Sequence, residues 1–365
     1  MTVKAVRFML NNIFKLIVKR IKHIVLIGVF LLIVYTISIS IIRRPSYTIQ
    51  TNGKLYIVNK GSSSITVFDL FQGKELTEIP MGIEPNEATS LTNLNRVVVT
   101  NYGASNVVGK SISVINTKFN KVEKIIDLGE SLRPHGIITF PHSKNVGVVT
   151  NLGNDLLVVN VETGIVEKKI STQQVVSQLL VLHPNKPIAF VTNVNSSSVS
   201  VIDLSLNQVI KVIPCGLGTE GIDITPDGTE IWVTNNKENS ISVISTDTYQ
   251  ITNTIPTGKE SLRLKFSVDG RYCLVPNSGD GTISVYNRYS KKQIKTIRIP
   301  GKIDLLERVL YHTPHPVGIL MHPNGRYAFV SNSNANKIEV IDMNTFALVS
   351  TIGTGKVPDG LTFVE

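Results

Sequence analysis

Cysteine is nearly missing from this chain of 365 residues, which holds only Cys215 and Cys273. The two fall in different repeats at non-equivalent places, so a disulfide framework is excluded and both read as small apolar fillers. Charge is also sparse, 18 % of residues against 42 % hydrophobic, which excludes a disordered chain and makes a large core easy to bury. Helical periodicity is nearly absent outside the N-terminus. There is no CxxC or HExxH spacing, no P-loop, no GxGxxG and no GxSxG elbow, so no zinc, nucleotide or serine-hydrolase site is legible as a motif.

Acidic residues are absent from residues 1–44, which carry Lys4, Arg7, Lys15, Lys19, Arg20, Lys22, Arg43 and Arg44. The net charge of +10 is therefore a property of the N-terminus, because the remainder holds 29 basic against 27 acidic side chains. A near-neutral body gives no electrostatic footprint for nucleic acid, and none is expected as a partner. Between Lys22 and Arg43 lie 20 uncharged residues, HIVLIGVFLLIVYTISISII. As a helix this run spans a hydrocarbon core of roughly 30 Å. The expectation is a cytoplasmic basic segment over 1–22, a transmembrane signal anchor over 23–42 and a linker over 43–53. Six positive charges before the run and two after it place the N-terminus in the cytosol and the rest outside it, periplasmic or at the cell surface. Residues 3–20 also fit an amphipathic basic helix lying on the inner leaflet.

What is abundant is a repeat. A tetrapeptide ending in asparagine recurs at Asn59 (YIVN), Asn101 (VVTN), Asn151 (VVTN), Asn193 (FVTN), Asn235 (WVTN), Asn277 (LVPN) and Asn332 (FVSN), spaced by 42, 50, 42, 42, 42 and 55 residues. Each is followed by an alternating run such as VSVID, a third run ending near glycine, and a fourth leading back to the next copy. Four short strands per repeat, punctuated by Gly, Pro, Asn and Asp, are the signature of a propeller blade. The predicted fold class is all-β: a seven-bladed β-propeller of four-stranded antiparallel blades over residues 54–365. The tetrapeptide, the VSVID-type strand and the PDG turn resemble the YVTN-type β-propeller repeat proteins. That resemblance implies an extracytoplasmic or cell-surface protein and leaves the activity open.

The chain ends on PDGLTFVE, one more inner-type strand, while the first repeat lacks a convincing one. The C-terminal strand is expected to complete the first blade, which would leave no sheet edge to pair with a neighbour and favours a monomer. The competing reading makes 47–50 that strand. The asparagine ends the second strand of each blade, where its side chain can bond backbone two residues on and tolerates left-handed geometry. A residue stamped seven times is architectural, as is the Asp or Asn closing the third strand (Asp69, Asn116, Asn160, Asp203, Asn287, Asp342). Trp232 and Tyr56 are read as packing between blades, and His142, His183 and His322 as turn residues.

Function is sought where copies differ. The residue before the glycine that opens each inner strand is Asp359, Asn86, His135, Gln178, Glu220, Leu262 and Val317 in repeats one to seven. Together these should ring the upper mouth of the central channel, with Arg133 and Arg263 close by. Two insertions, in 101–111 and in 302–316, map to the same upper rim, and the second carries His312 and His315. The first functional reading is a membrane-tethered binding or scaffold module recognising a protein or cell-envelope ligand through this rim, which points away from the membrane. The second is an enzyme or cofactor carrier, by resemblance to lactonases, streptogramin-type lyases and the haem-binding domain of nitrite reductases. No cofactor is expected outright. Asp359, Asn86, Gln178 and Glu220 are acceptable ligands for Ca²⁺ or Mg²⁺, and His135 or His312 for haem iron or acid–base work. Covalent haem is excluded by the lack of CxxCH.

Overall fold

The computed structural model describes residues 3–42, 46–301 and 314–365, with helix side chains described at 4, 7–9 and 12–36. Within the repeats, strands a to d are named from the channel outward. In strand b of blade 1, Lys54–Asn59, alternate residues serve different neighbours. Leu55 and Ile57 pack with Phe329 and Val340 of blade 7, whereas Tyr56 and Val58 pack with Val97 and Val99 of blade 2. This is the period of two of an extended chain, used with both faces buried, which is why strand b reads as an apolar run up to the end of its tetrapeptide. The same division recurs at every blade–blade boundary, so the core is a set of seven apolar layers rather than one central mass. Each Val, Ile or Leu buried there contributes about 1.5–3 kcal/mol. Trp232 and Tyr56 are fully buried in these layers, as expected.

Seven four-stranded antiparallel sheets form the ring. In the first, Pro358–Val364 pairs with Lys54–Asn59, followed outward by Ser64–Asp69 and Lys74–Pro80. The C-terminal strand thus closes the ring. Residues 46–51, which include the competing candidate 47–50 and belong to the expected linker, instead dock on strand d of blade 7: Thr48 N donates to Ser350 Oγ at 2.9 Å and Thr351 N to Ser46 O at 3.0 Å. Tyr47 completes the attachment by donating to Leu70 O at 2.6 Å.

The stamp asparagine acts differently from the expectation. Asn59 has φ −100°, outside the left-handed region, and its Nδ2 donates to Ser64 Oγ and Thr66 Oγ1 on strand c. Asn235 repeats this with Ser240 and Ser242, and Asn277 with Thr282 and Ser284. The amide therefore locks strand b to strand c, except in blade 3, where Asn151 donates to Ser177 O and Gln178 Oε1 of the next blade, and the left-handed residue is the fourth after the asparagine at Ser63 and Asn239. Bonding to backbone two residues on belongs to the residue closing strand c. Asp69 and Asp203 accept from the N–H groups two and three positions on.

The hydroxyl before the asparagine ties blades together. Thr192 Oγ1 accepts from Leu179 N at 3.1 Å in its own blade and donates to Glu220 O at 2.7 Å in the next. Thr100 does the same between Glu87 N and His135 O, and Ser331 donates to Asp359 O.

The N-terminal helix is a compact unit separate from the propeller. It runs without a break from Val3 to Ile42, merging the two segments expected from sequence. Among the described residues no helix is long and apolar enough to cross a membrane. The expected transmembrane span over 23–42 is thus not borne out among the described residues. Side chains 37–42 lie outside the described residues.

Replacing Thr192 by valine keeps shape and deletes both bonds of its hydroxyl. Urea unfolding of the purified protein is expected to show a loss of about 1–3 kcal/mol, because a buried N–H and C=O lose their partner. No measurable loss would show that the blades do not lean on this contact.

Candidate functional site at the channel mouth

The inner strands of blades 1, 3 and 5 begin where the hydroxyl of the preceding blade's tetrapeptide holds the carbonyl of the ring residue, and that fixes the first side chain at the channel. All seven expected ring residues line one cavity of about 280 Å³, namely Asp359, Asn86, His135, Gln178, Glu220, Leu262 and Val317. Arg263 and His315 line it as well. Arg133 does not: it has φ +56°, donates to Ala104 O at 3.0 Å and stacks its guanidinium 4.9 Å from the Tyr102 ring centre. His312 lies outside the described residues, as does most of the longer insertion. The shorter one extends a hairpin, Arg96–Gly103 with Val108–Asn116, and contributes Tyr102, whose ring meets His135 edge-on at 5.5 Å.

Two charged residues occupy the slot where blades 1, 3, 5 and 7 have glycine. Neighbouring inner strands approach so closely there that a Cβ on Gly318 would sit 2.0 Å from Asp359 O, and one on Gly360 2.5 Å from Asn86 O. Blades 2 and 6 instead carry Glu87 and Arg263, and these pair across the channel, with Arg263 Nη2 2.7 Å from Glu87 Oε1. Arg263 Nη1 also reaches Glu220 Oε1 at 3.3 Å. Arg263 was anticipated near the mouth, whereas Glu87, Tyr102 and Lys60 were missed. The signal for Glu87 was available in the aligned repeats, as a charged residue standing in a glycine slot.

The hydrogen bonds define a directed network. Gln178 Oε1 accepts from Asn151 Nδ2 at 2.8 Å, which leaves its NH₂ group facing His135 Nε2 at 2.9 Å and Glu220 Oε1 at 3.4 Å. The other oxygen of Glu220 accepts from Asn236. Burial pushes the Glu87 and Glu220 carboxyls above their ordinary range, opposed by the charge of Arg263. Burial disfavours the charge on Arg263 itself, but Glu87, Asp359 and Glu220 hold its pKa above the usual value. Burial, then Arg263 and Lys60, holds His135 well below 6.5, so its ring is neutral at physiological pH. Against this network stand polar atoms with no partner: Asn86 Oδ1, His135 Nδ1 and Asp359 Oδ1 are buried and unbonded among the described residues.

A Ca²⁺ or Mg²⁺ ion does not fit this donor set. Gln178 and Glu220 have their oxygens engaged by Asn151, Arg263 and Asn236, leaving free oxygens only on Asp359 and Asn86 of the four expected ligands. Among the described residues no three His, Cys, Asp or Glu side chains converge as a metal requires. Both cysteines are free thiols, and burial raises Cys215 to about 12 and Cys273 well above 9.0, so neither is a nucleophile.

The histidine makes the mouth acid-sensitive. Unfolding restores the ordinary pKa of 6.5, so acidification below that value protonates the unfolded chain first and weakens the fold until the depressed native pKa is reached. Glu87 and Glu220 work in the opposite sense, adding stability below 4.5 that is lost as pH rises through their raised native values. Melting temperatures measured from about pH 7 down to about pH 5 should fall less steeply in His135→Gln than in the wild type. Parallel curves would contradict a buried neutral histidine.

A family model described as "Lactonase, 7-bladed beta-propeller" matches residues 42–297. No curated protein matches the chain. Among solved structures, hydrazine synthase of Kuenenia stuttgartiensis is similar with a TM-score of 0.65 at 16 % identity, over 76 % of this chain and 89 % of that one. A functionally unknown protein from Desulfotomaculum acetoxidans gives 0.71 at 17 % identity, over 86 % and 99 %. The dihydro-heme d1 dehydrogenase NirN gives 0.61 at 15 %, over 85 % and 65 %. At these identities the structural likeness establishes the fold and nothing of the chemistry. The family match covers well over half of the sequence, and the chain belongs to the seven-bladed β-propeller lactonase family.

Proposed function

We propose that this protein is a membrane-tethered binding propeller, displayed outside the cytosol, that captures its ligand at the upper mouth of the channel. The observation that carries this reading is the row of unpartnered buried atoms on three consecutive blades, Asp359 Oδ1, Asn86 Oδ1 and His135 Nδ1, around one cavity. Buried polar groups are otherwise almost always bonded, so a cluster of exceptions marks a place where water or a ligand completes the structure. Tyr102 and His315, from the two insertions, border the same cavity and suit a rim that contacts a larger protein or cell-envelope ligand. The tether rests on the 20 uncharged residues after six basic ones, and on a helix whose Ile24, Leu26, Phe30 and Leu31 are all exposed. The seven tetrapeptides support a YVTN-type member of the family.

Lactone hydrolysis is the second reading, favoured by the family match alone. In it, neutral His135 or Glu220 would take a proton from water attacking the ring carbonyl, and the ring C–O bond would open to a hydroxy acid.

Two measurements separate the readings. Acid release from a panel of sugar and aliphatic lactones should not exceed that of a His135→Ala/Glu220→Ala double variant; turnover that the variant abolishes would make the protein a hydrolase. Mass spectrometry of the denatured protein should release a small molecule from the wild type and not from a variant with Asn86, His135 and Asp359 all changed to alanine. Identical spectra would remove the mouth as the ligand site. For the tether, the full chain should resist carbonate extraction from membranes, and deletion of 23–42 should abolish that; a soluble full chain would contradict it.

A further inference from the structure

The unpartnered atoms have a polarity that narrows the ligand. Asp359 and Asn86, 9 % and 2 % exposed, present oxygens on adjacent blades, and both are acceptors without a donor. His135, 5 % exposed, is the third member, and its tautomer follows from its neighbour. Gln178 points its NH₂ group at His135 Nε2, so that nitrogen accepts and the hydrogen of the neutral ring sits on Nδ1. Nδ1–H is then a buried donor without an acceptor.

Charge sharpens this further. Arg263 spends its hydrogen bonds on Glu87, Glu220 and Leu262 O, and no ion pair among the described residues includes Asp359. A largely buried carboxylate lacking a paired cation is costly unless one arrives from outside. A divalent metal takes six or more oxygens, waters included, and finds one unengaged carboxylate and one amide oxygen here. An anion would meet three carboxylates, with Arg263 already engaged and Lys60 turned to the Tyr102 ring, its Nζ 5.6 Å from the ring centre. A primary ammonium carries the missing charge and three N–H donors on one atom.

We propose that the arc formed by Asp359, Asn86 and His135 binds the primary ammonium group of a small ligand, with Asp359 and Asn86 accepting from the nitrogen and His135 Nδ1–H donating to a neighbouring ligand oxygen. This rests on the mouth being the ligand site. The class is a compact amine with a hydroxyl or carbonyl next to the amino group, whether free in solution or at the tip of an envelope polymer or lipid headgroup.

Isothermal titration of the purified full chain in detergent micelles, in an amine-free buffer, tests this with ethanolamine, its uncharged counterpart ethylene glycol, and calcium chloride. Ethanolamine is expected to bind one to one while the other two give no specific heat. Asp359→Asn should weaken ethanolamine by about tenfold or more, since a charge-assisted bond becomes a neutral one. Asn86→Asp, which adds a charge and keeps the shape, should tighten it, so the proposal remains testable if the first variant fails to fold. Equal binding of glycol and ethanolamine, binding of calcium alone, or ethanolamine affinity unchanged in both variants would overturn the ammonium assignment. If glycol or calcium binds and Asp359→Asn abolishes it, the mouth stands as a ligand site with another chemistry. Absence of binding by all three would count against both.

Discussion

Three boundaries of the ring depend on a hydroxyl that belongs to two blades at once. Thr100, Thr192 and Ser331 donate to the backbone carbonyls of His135, Glu220 and Asp359 on the following blade. Each bond is modest in water but sits in a dry layer between sheets, where its loss would leave a carbonyl unsatisfied. The carbonyls it holds belong to the residues whose side chains line the mouth. The uniform part of the repeat therefore sets the position of the variable part. Apolar alternation stacks the blades, the asparagine locks strand b to strand c in every blade but the third, and the hydroxyl sets where the inner strands of blades 1, 3 and 5 begin.

The mouth is where this economy is broken. Most inner strands keep a glycine after the ring residue because a Cβ would collide with the next strand, and blades 2 and 6 forgo it for Glu87 and Arg263. Those two come from non-adjacent blades and cross the channel, drawing Glu220 into the same network. Arg263 is thereby anchored on both sides, and Asp359 and Asn86 remain with unmet acceptors. Sites that bind are commonly less stable than they could be, since the groups that recognise a ligand are unsatisfied without it.

Blade number, strand order, ring closure by Pro358–Val364 and the identity of the seven ring residues were all legible from the spacing and the differences between copies. Legibility failed where contacts are not periodic. The docking of residues 46–51 on blade 7 depends on hydroxyl bonds to Ser350 and Thr351, which no repeat pattern announces. The asparagine was rightly read as structural, but its partners lie five and seven residues on, across a hairpin, rather than in the adjacent turn. Arg133, adjacent in sequence to the ring, is turned aside by its left-handed backbone onto Tyr102. Glu87 escaped notice because its partner is 176 residues away on the far side of the channel.

The central claim is that repeated residues build and unlike residues bind, and the two classes should respond oppositely to deletion. Urea unfolding of Asn235→Ala and Asn86→Ala, measured side by side, tests it most directly. Asn235 bridges two buried hydroxyls, so its loss is expected to cost about 1–3 kcal/mol. Asn86 holds an unsatisfied oxygen, so its loss should leave stability unchanged or raise it. Comparable destabilisation by both substitutions would contradict the account.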